Sequence, residues 1–301
     1  MHTTPSFFSE HLTKALDYLT SKQCHNGGFC AYKMEYLEEP NPKDTFFAVA
    51  SFQLLGAAIP QRDRIKAYLY QVLADIQRYL LSSIGTSSKI YGASAFNYLY
   101  FPFYTLYQMG ELYLDASWQQ TLNRLEVLLP EQLYPNESGV SQQWLLRKVR
   151  TKKLCGDIPN RQQIIDFILS LNHQGGFGIK PNLIDTYWSL SLLKELDYDL
   201  SQMDDTRQFI QKLQIPQTGF TLAEEGIITN LEVVYAGFFA SLMLQMDIPY
   251  LDAALRFVGM CQMERGGFAR MPVALPDIES TYRALKMLKA YTTSYSNQTV
   301  D

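Results

Sequence analysis

One short pattern returns four times along this chain of 301 residues, and it constrains the fold more than any other feature. Each copy is a turn that ends in Gly-Phe, and the four turns read KQCHNGGF, SLNHQGGF, LQIPQTGF and CQMERGGF. Their last residues are Phe29, Phe177, Phe220 and Phe268, and the last three lie 43 and 48 residues apart. The 148 residues from Phe29 to Phe177 span three such intervals, so we expect two degenerate copies there, with SSKIYGAS and PNESGVSQ as their traces.

The segments on both sides of each turn have helical periodicity. Upstream segments such as HLTKALDYLTSKQ and LDAALRFVGMCQ place apolar residues three or four positions apart, which predicts helices with one buried face. Downstream segments, which begin at Asp44, Asp185, Asn230 and Asp277, are apolar around most of their circumference, which predicts helices buried on several sides. The pattern therefore predicts outer and inner helices in alternation, with inner helices starting near positions 44, 97, 141, 185, 230 and 277.

Six helical hairpins of similar length cannot bury their apolar faces alone, so they must stack on one another. A constant rotation from each hairpin to the next closes the stack at six, which predicts an all-α (α/α)6 toroid with a central cavity. An open superhelix of helix pairs is the alternative, and the Gly-Gly turns with their aromatic residue favour closure. We expect a single domain over 1–301, with repeats at about 8–57, 58–110, 111–157, 158–198, 199–246 and 247–291 and a tail at 292–301.

Composition narrows the classes of function. The chain has 26 basic and 30 acidic residues, for a net charge of −4, and this balance gives no reason to expect a nucleic-acid surface. No apolar run approaches the roughly 18 residues of a membrane span, and the N-terminal MHTTPSFFSEHLTKAL lacks the pattern of a signal peptide. We therefore expect a cytoplasmic protein, with peripheral membrane contact left open.

The four cysteines, Cys24, Cys30, Cys155 and Cys261, form no C-x-x-C pair and are too few for a disulfide scaffold, so we expect reduced thiols. Cys24, Cys30 and His25 lack a fourth ligand at suitable spacing, so we expect no metal there.

The Gln-x-x-x-Gly-Gly-Phe turn, followed by DTYWSLSLL or DIESTYRALKML, resembles the repeat of the terpenoid cyclase and protein prenyltransferase superfamily, a QW-like repeat. The resemblance runs from Leu12 to Tyr291 and is clearest in repeats one, four, five and six. It implies an α/α toroid whose cavity accommodates an isoprenoid small molecule, and it does not decide the reaction. Nothing in the pattern requires a partner subunit.

Two chemistries occur in this superfamily, and the protein prenyltransferases use zinc. Carried over onto this chain, their zinc ligands fall on Glu232, Val234 and Ser280, a set that cannot hold zinc. Their diphosphate-binding Arg and Lys fall on Gly226 and Thr229, which are uncharged. The resemblance therefore disfavours a protein prenyltransferase of the usual kind and predicts no cofactor, with Mg²⁺ as an option if the substrate is a diphosphate.

The class II terpene cyclases protonate an alkene or epoxide with the middle acid of an Asp-x-Asp-Asp motif. Asp277-Ile278-Glu279-Ser280-Thr281 resembles that motif with Glu279 as the acid and Asp277 as a second carboxylate, while the third carboxylate is missing. Asp44 and Asp185, at equivalent positions of other repeats, are further candidates. The alternative is that the aspartates cap helices and Glu279 is a first-turn charge that complements the helix dipole.

Aromatic residues recur on the predicted inner helices and would line the cavity, where ring faces stabilise carbocations and solvate prenyl chains. Ordinary core packing is the alternative. The candidates for substrate binding are Tyr98, Phe101, Tyr104, Trp144, Tyr187, Trp188, Tyr235, Phe239 and Tyr282.

Five basic residues lie within a seven-residue run, and they are Arg147, Lys148, Arg150, Lys152 and Lys153. Such a run near a helix end either complements the negative end of the helix or stays solvated. It would bind a phosphate only if it reached the cavity rim. The sequence thus favours a small class II-like cyclase, with a zinc-independent prenyltransferase acting on a prenyl diphosphate, or a non-catalytic toroid that binds a lipid or protein, as alternatives.

Overall fold

Helices of an inner ring and an outer layer alternate along the chain. The computed structural model describes residues 5–33, 36–83, 89–119, 122, 142–154, 156, 158, 160–227 and 229–295. The inner helices are α2 (Pro42–Leu54), α4 (Lys89–Gln108), α5 (Gln142–Lys153), α7 (Leu183–Glu195), α9 (Leu231–Met243) and α11 (Ile278–Tyr295). The outer helices include α1 (Pro5–Ser21), α3 (Arg62–Ser83), α6 (Arg161–Ser170), α8 (Asp204–Lys212) and α10 (Leu251–Met260).

The inner helices form a closed ring. Each packs against the next in the order α2, α4, α5, α7, α9 and α11, and α11 packs against α2. The predicted all-α (α/α)6 toroid is therefore confirmed, and the open superhelix is wrong. Closure leaves the inner helices in contact with neighbours on both sides, which explains why their apolar residues are spread around the helix.

The second repeat differs from the prediction. The second inner helix begins at Lys89 rather than near position 97, and residues 89–94 of the expected turn SSKIYGAS belong to α4. A single glycine costs a helix only about 1 kcal/mol, and the packing of α4 between α2 and α5 overrides the modest helix propensity of these residues. The other expected trace, PNESGVSQ, lies outside the described residues.

Each clear turn is a very short antiparallel hairpin. Two have paired strands, β1 (Asn172–His173) with β2 (Gly176–Phe177) and β3 (Gln214–Ile215) with β4 (Gly219–Phe220). The other two have a single bridge, Gln23 to Phe29 and Gln262 to Phe268. The phenylalanine that ends each turn is fully buried.

The glutamine that opens the turn joins one repeat to the next. Gln23 donates from Nε2 to the Gly27 carbonyl of its own turn at 3.1 Å and to the Pro60 carbonyl, just before α3, at 3.0 Å. Gln262 does the same with Gly266 at 2.8 Å and with His11 of α1 at 2.9 Å. The recurring glutamine thus bridges neighbouring hairpins, and its last copy closes the ring.

A buried threonine fixes three of the four clear turns to the inner helix that follows. The backbone amides of Phe29, Phe177 and Phe268 each donate to a threonine Oγ1 at 3.0 Å; the acceptors are Thr45, Thr186 and Thr281. This bond satisfies an amide that would otherwise be buried without a partner.

The helix caps correct the expectation that Asp44 and Asp185 cap their helices. The N-caps of α2 and α7 are Asn41 and Asn182, whose side chains accept from the backbone amides of Asp44 and Asp185 at 2.8 and 2.9 Å. The two aspartates are third in their helices, and each accepts from the same asparagine's Nδ2 at 2.7 Å. Asp277 and Asn230 occupy the predicted cap positions, accepting from the amides of Ser280 and Val233.

Candidate functional site

A cavity opens among the inner helices of the ring, with about 580 Å³ of space including its opening to solvent. Its lining comes chiefly from the first two turns of α2, α7, α9 and α11 and from the middle of α4 and α5, so the N-terminal parts of the inner helices meet around it. The lining residues are Phe46, Phe47, Tyr100, Phe101, Gln143, Leu146, Arg147, Arg150, Tyr187, Trp188, Tyr235, Glu279, Tyr282, Arg283 and Lys286.

Aromatic rings form much of the wall and pack on one another. Phe46 lies 5.6 Å from Phe101 and 5.8 Å from Tyr100 between ring centroids, which joins α2 to α4. Phe47 lies 5.3 Å from Tyr282, which joins α2 to α11. Contacts of this kind favour a fixed arrangement of side chains over a fluid one.

Basic side chains from α5 and α11 lie over these rings. The Arg147 guanidinium is 4.8 Å from the centroid of Phe101. The Lys286 ammonium is 4.9 Å from the ring of Phe239, 5.7 Å from that of Tyr235 and 5.8 Å from that of Tyr282. Cation–π attraction therefore helps to keep two charges in the cavity wall, and burial lowers the pKa of Arg147.

Glu279 belongs to a chain of ion pairs that crosses the rim of the cavity. Its carboxylate pairs with Lys43 of α2 at 2.6 Å and with Arg283, one turn along α11, at 2.7 Å. Arg283 also pairs with Glu232 of α9 at 3.0 Å. Burial alone would raise the pKa of Glu279, but the attraction of Arg283 and Lys43 outweighs it and the net pKa is lowered. Glu279 is therefore ionised at neutral pH.

Arg150 connects the cavity to the end of α7. Its Nε donates to the Glu195 carboxylate at 2.9 Å, and Lys153 pairs with the same carboxylate at 3.1 Å. Within the basic run, the structure thus places Arg147 and Arg150 in the cavity lining, whereas Lys153 lies against the C-terminus of α7, where it also donates to the Glu195 carbonyl. Arg147 and Arg150 of the basic run therefore reach the cavity, which phosphate binding by this run requires.

Two buried tyrosines extend from Lys286. The Lys286 ammonium donates to the Tyr235 hydroxyl at 3.1 Å, and this hydroxyl lies 3.3 Å from that of Tyr187. Burial raises the pKa of both tyrosines well above the ordinary value, so both hydroxyls keep their protons.

The structure brings together five of the nine aromatic residues that the sequence proposed for substrate binding: Phe101, Tyr187, Trp188, Tyr235 and Tyr282. Four others do not line the cavity. Tyr98 is 64% exposed, Tyr104 stacks on Tyr100 at 5.0 Å, Trp144 lies under Lys148, and Phe239 packs behind Tyr235 at 4.7 Å. Helical spacing does not explain the split, because each of the four lies three or four positions from a lining residue of the same helix.

Among the four proposed acids, Glu279 lines the cavity and the three aspartates do not. Asp44 accepts from the Ala31 amide at 2.9 Å besides Asn41, and burial raises its pKa. Burial also raises the pKa of Asp185. Asp277 accepts both from the amide and from the hydroxyl of Ser280, each at 2.7 Å. A catalytic role for these acids stays a prediction, and the two ion pairs of Glu279 count against proton donation by it.

Sequence reasoning missed several lining residues, chiefly Phe46, Phe47, Arg283 and Lys286. A signal for the last two existed, since Glu279, Arg283 and Lys286 are spaced four and three apart on one face of α11. Phe46 and Phe47 directly follow the buried Thr45, so their inward position could have been inferred from the threonine.

The positions that match the zinc ligands of protein prenyltransferases do not fit a metal. Glu232 is paired with Arg283, Val234 is a buried apolar residue, and Ser280 donates to Asp277. Across the described residues, no three His, Cys, Asp or Glu side chains converge in a way that could hold a metal ion. No helix within the described residues has the length and apolar character to cross a bilayer.

The sequence matches the model of the prenyltransferase alpha-alpha toroid domain over residues 3–97 and 140–300. A similar solved structure is the Candida albicans protein geranylgeranyltransferase-I complexed with GGPP, at 15% identity and a TM-score of 0.65, covering 94% of this chain and 92% of the other. Another is the type II terpene cyclase MstE from Scytonema, at 10% identity and a TM-score of 0.60, covering 95% and 98%. The comparison with curated proteins gives no match. At these identities the solved structures show the fold alone.

Proposed function

Because this chain belongs to the prenyltransferase alpha-alpha toroid family, we propose that its cavity binds a prenyl diphosphate and that it acts as a zinc-independent prenyltransferase. The diphosphate lies among Arg147, Arg150 and Lys286, and the isoprenoid chain lies against the aromatic wall. The single observation that supports this most is the charge of the lining, in which four basic side chains face one carboxylate.

The position of the cations favours an anionic substrate over a cyclising hydrocarbon. In a cyclase, open ring faces stabilise the carbocations of the substrate. Here Arg147 already lies over Phe101, and Lys286 lies over Tyr235 and Tyr282. A carbocation beside these rings would meet fixed positive charges, whereas a diphosphate would gain charge-assisted hydrogen bonds. This is why the prenyl diphosphate is preferred here over the cyclase that the sequence favoured.

The lining also suits the ionisation of an allylic diphosphate. The C–O bond breaks, the electron pair leaves with the diphosphate, and the allylic carbon becomes electrophilic. Arginine and lysine groups stabilise the charge that develops on the leaving oxygen. The rings of Phe46, Phe47 and Trp188 remain to contact the prenyl chain. A nucleophilic acceptor then forms a bond to the allylic carbon and loses its proton to solvent.

Calorimetric titration with farnesyl and geranylgeranyl diphosphate, with and without Mg²⁺, tests the binding. We expect micromolar binding of a diphosphate, and at least tenfold weaker binding of the matching alcohol because one charged hydrogen bond contributes about 1.5–3 kcal/mol. Lys286→Met should weaken binding of the diphosphate by a similar factor. The matched control is Lys194→Met, which removes an exposed lysine of α7 outside the lining. Equal binding of alcohol and diphosphate would contradict the proposal.

A product assay separates transfer from binding alone. Release of inorganic diphosphate that depends on an added nucleophile supports the transferase. Binding without release under any of these conditions supports the non-catalytic toroid.

A class II-like cyclase remains the second candidate, because Glu279 of the Asp277-Ile278-Glu279 segment lines the cavity. It predicts cyclised product with the diphosphate retained, and loss of that product in Glu279→Gln. The transferase predicts diphosphate release instead, so mass spectrometry of the products distinguishes the two.

A further inference from the structure

Two buried thiols meet in the first Gly-Phe turn of the chain. The Sγ atoms of Cys24 and Cys30 lie 3.2 Å apart, within van der Waals contact, and each residue is only 2% exposed. The same two sulfurs lie 3.9 and 4.0 Å from the carbonyl oxygen of Lys22. Both thiols therefore point into one small space from which most solvent is excluded.

The backbone of the turn sets this approach. The Cys24 amide donates to the Gly28 carbonyl at 2.8 Å. The Cys30 amide donates to the Lys22 carbonyl at 3.1 Å, so the two bonds lie on both sides of the turn's single bridge. Side chains at alternate positions of such a pair share a face, and the two thiols are therefore diagonal neighbours on one face of the turn.

A bond between the sulfurs needs little movement. Disulfide sulfurs lie about 2.05 Å apart, so each Sγ has to shift by roughly 0.6 Å, which a small rotation about the Cα–Cβ bonds provides. The backbone has little room to move instead, since a Cβ added at Gly27 would lie 2.6 Å from atoms of Arg64 in α3. The packed turn therefore holds the two thiols close to bonding distance.

The fold itself does not require cysteine at these two positions. In the two other turns of the same length, the equivalent positions hold Ile215 with Thr221 and Met263 with Ala269. The last turn has the same two backbone hydrogen bonds, each at 2.8 Å. Since side chains without a thiol satisfy the packing of such a turn, the cysteine pair is explained better by its chemistry than by its shape.

Charged side chains act on both sulfurs. A thiolate at Cys24 is repelled by Glu38 and attracted by Lys33, and a thiolate at Cys30 is attracted by Lys22. Burial and the neighbouring thiol raise the pKa of Cys24 to about 12, so its sulfur is protonated at rest. Because the thiolate is the reactive species, oxidation at this site is slow, and the burial favours a small oxidant over a large one.

We propose that Cys24 and Cys30 form a site of reversible oxidation, at which a small peroxide such as hydrogen peroxide makes a disulfide between them. One thiol gives up its proton and attacks a peroxide oxygen; the O–O bond breaks, and a sulfenic acid and one water are formed. The second sulfur, which loses its proton, then attacks the sulfenic sulfur, the S–O bond breaks and a second water leaves. Two thiols and one hydrogen peroxide thus give one disulfide and two waters.

The disulfide fixes the first turn where it joins α2. The Phe29 amide donates to Thr45 Oγ1 at 3.0 Å, and the Ala31 amide donates to the Asp44 carboxylate at 2.9 Å. A covalent link across the turn therefore restricts its opening, and it adds stability by limiting the unfolded chain. Neither effect depends on the proposed function.

Peptide mapping tests the bond directly. The folded full chain is treated with millimolar hydrogen peroxide, quenched with catalase, alkylated in guanidinium chloride and cut with trypsin. Cleavage after Lys22 and Lys33 puts both cysteines on one peptide, residues 23–33. We expect that peptide to lack two hydrogen atoms and both alkyl groups, and dithiothreitol given before alkylation should restore both thiols. Cys261, which is also fully buried, should keep its thiol.

Thermal unfolding tests the effect on the turn. The midpoint should rise by about 3 °C or more when the unaltered protein is oxidised, and dithiothreitol should reverse the rise. The control is Cys30→Ala, which copies the last turn at Ala269 and should show no rise under the same treatment. Two alkylated thiols on peptide 23–33 after peroxide treatment, or a sulfinic acid without a disulfide, would overturn the proposal. A disulfide without the rise in midpoint would overturn its effect on the turn.

Discussion

Gln262, in the turn of the last repeat, donates to the carbonyl of His11 in the first helix at 2.9 Å, across 251 positions of sequence. The neighbouring Gly266 packs against the same helix, so closely that an added Cβ would lie 2.0 Å from the Lys14 carbonyl oxygen. These contacts join the first outer helix to the turn of the last repeat, in addition to the packing of α11 against α2 that closes the inner ring.

Gly266→Ala should destabilise the protein where the turn of the last repeat packs against α1. Gly266 has a φ of +93°, which costs an alanine about 1–2 kcal/mol, and the overlap with α1 adds about 1–3 kcal/mol. The control is Gly110→Ala, because Gly110 also has a positive φ, +70°, but no neighbour within 4 Å of the added Cβ. Urea unfolding should show a loss for Gly266→Ala that exceeds the control by at least about 1 kcal/mol. Equal losses of unfolding free energy in the two variants would mean that the close contact of Gly266 with α1 does not contribute to stability.

Arg283→Met should be among the more damaging substitutions at the cavity. It leaves Glu232 and Glu279 partly buried without their shared partner, and loss of one member of such a group costs about 3–5 kcal/mol. Lys43→Met is the control, since Lys43 is half exposed and its pair should contribute about 1 kcal/mol or less. The free energy of unfolding in urea measures both. Similar small losses in the two variants would contradict the picture of Arg283 as the centre of the network.

Acid should weaken the fold through Glu279 and Glu38. Their folded pKa values lie below the ordinary 4.5, with that of Glu38 at about 2, because Arg283 and Lys43 attract the first and the His25 amide and Lys33 bind the second. A lowered folded pKa gives stability that is complete above the unfolded pKa and is lost as the pH falls toward the folded value.

The measurement for this prediction is urea unfolding at several pH values from about 6 to about 3. The free energy of unfolding of the unaltered protein should fall more steeply below about pH 4.5 than that of the double variant Glu38→Gln, Glu279→Gln. Asp44 and Asp185 act in the opposite sense, because burial raises their pKa values, so the test compares the two slopes rather than the absolute stabilities. Equal slopes of unfolding free energy against pH in the two proteins would contradict this prediction.

Cys24 and Cys261 should react slowly in the folded protein. Burial raises the pKa of each to about 12, so the reactive thiolate is scarce at pH about 8. Alkylation with iodoacetamide, followed by mass spectrometry of the peptides, should modify both thiols far faster in guanidinium chloride than in native buffer. Rapid native labelling of either residue would contradict its burial.

The periodic features of the fold were predictable from the sequence. The turns, the order of outer and inner helices and the number of repeats depend on local patterns that recur in sequence, and the recurring threonine makes the same bond in three of the four clear turns. The second inner helix was placed incorrectly because its turn has no Gly-Gly-Phe and because packing against α2 and α5 overrides the modest helix propensity of the segment. The caps were misassigned to Asp44 and Asp185 because asparagine and aspartate three positions apart both satisfy the rules for a helix start.

The site was predictable only in part. Residues that face the cavity had a helical spacing, but which face of α4, α5 and α11 points inward depends on the rotation of each helix against two neighbours. The sequence by itself determined a ring of helical hairpins with apolar, aromatic inner helices, since periodicity and turn chemistry are local properties. Only the tertiary structure decided that Arg147 lies over Phe101, that Lys286 lies over Tyr235 and that Glu279 pairs with Lys43, because those contacts join different helices of the ring.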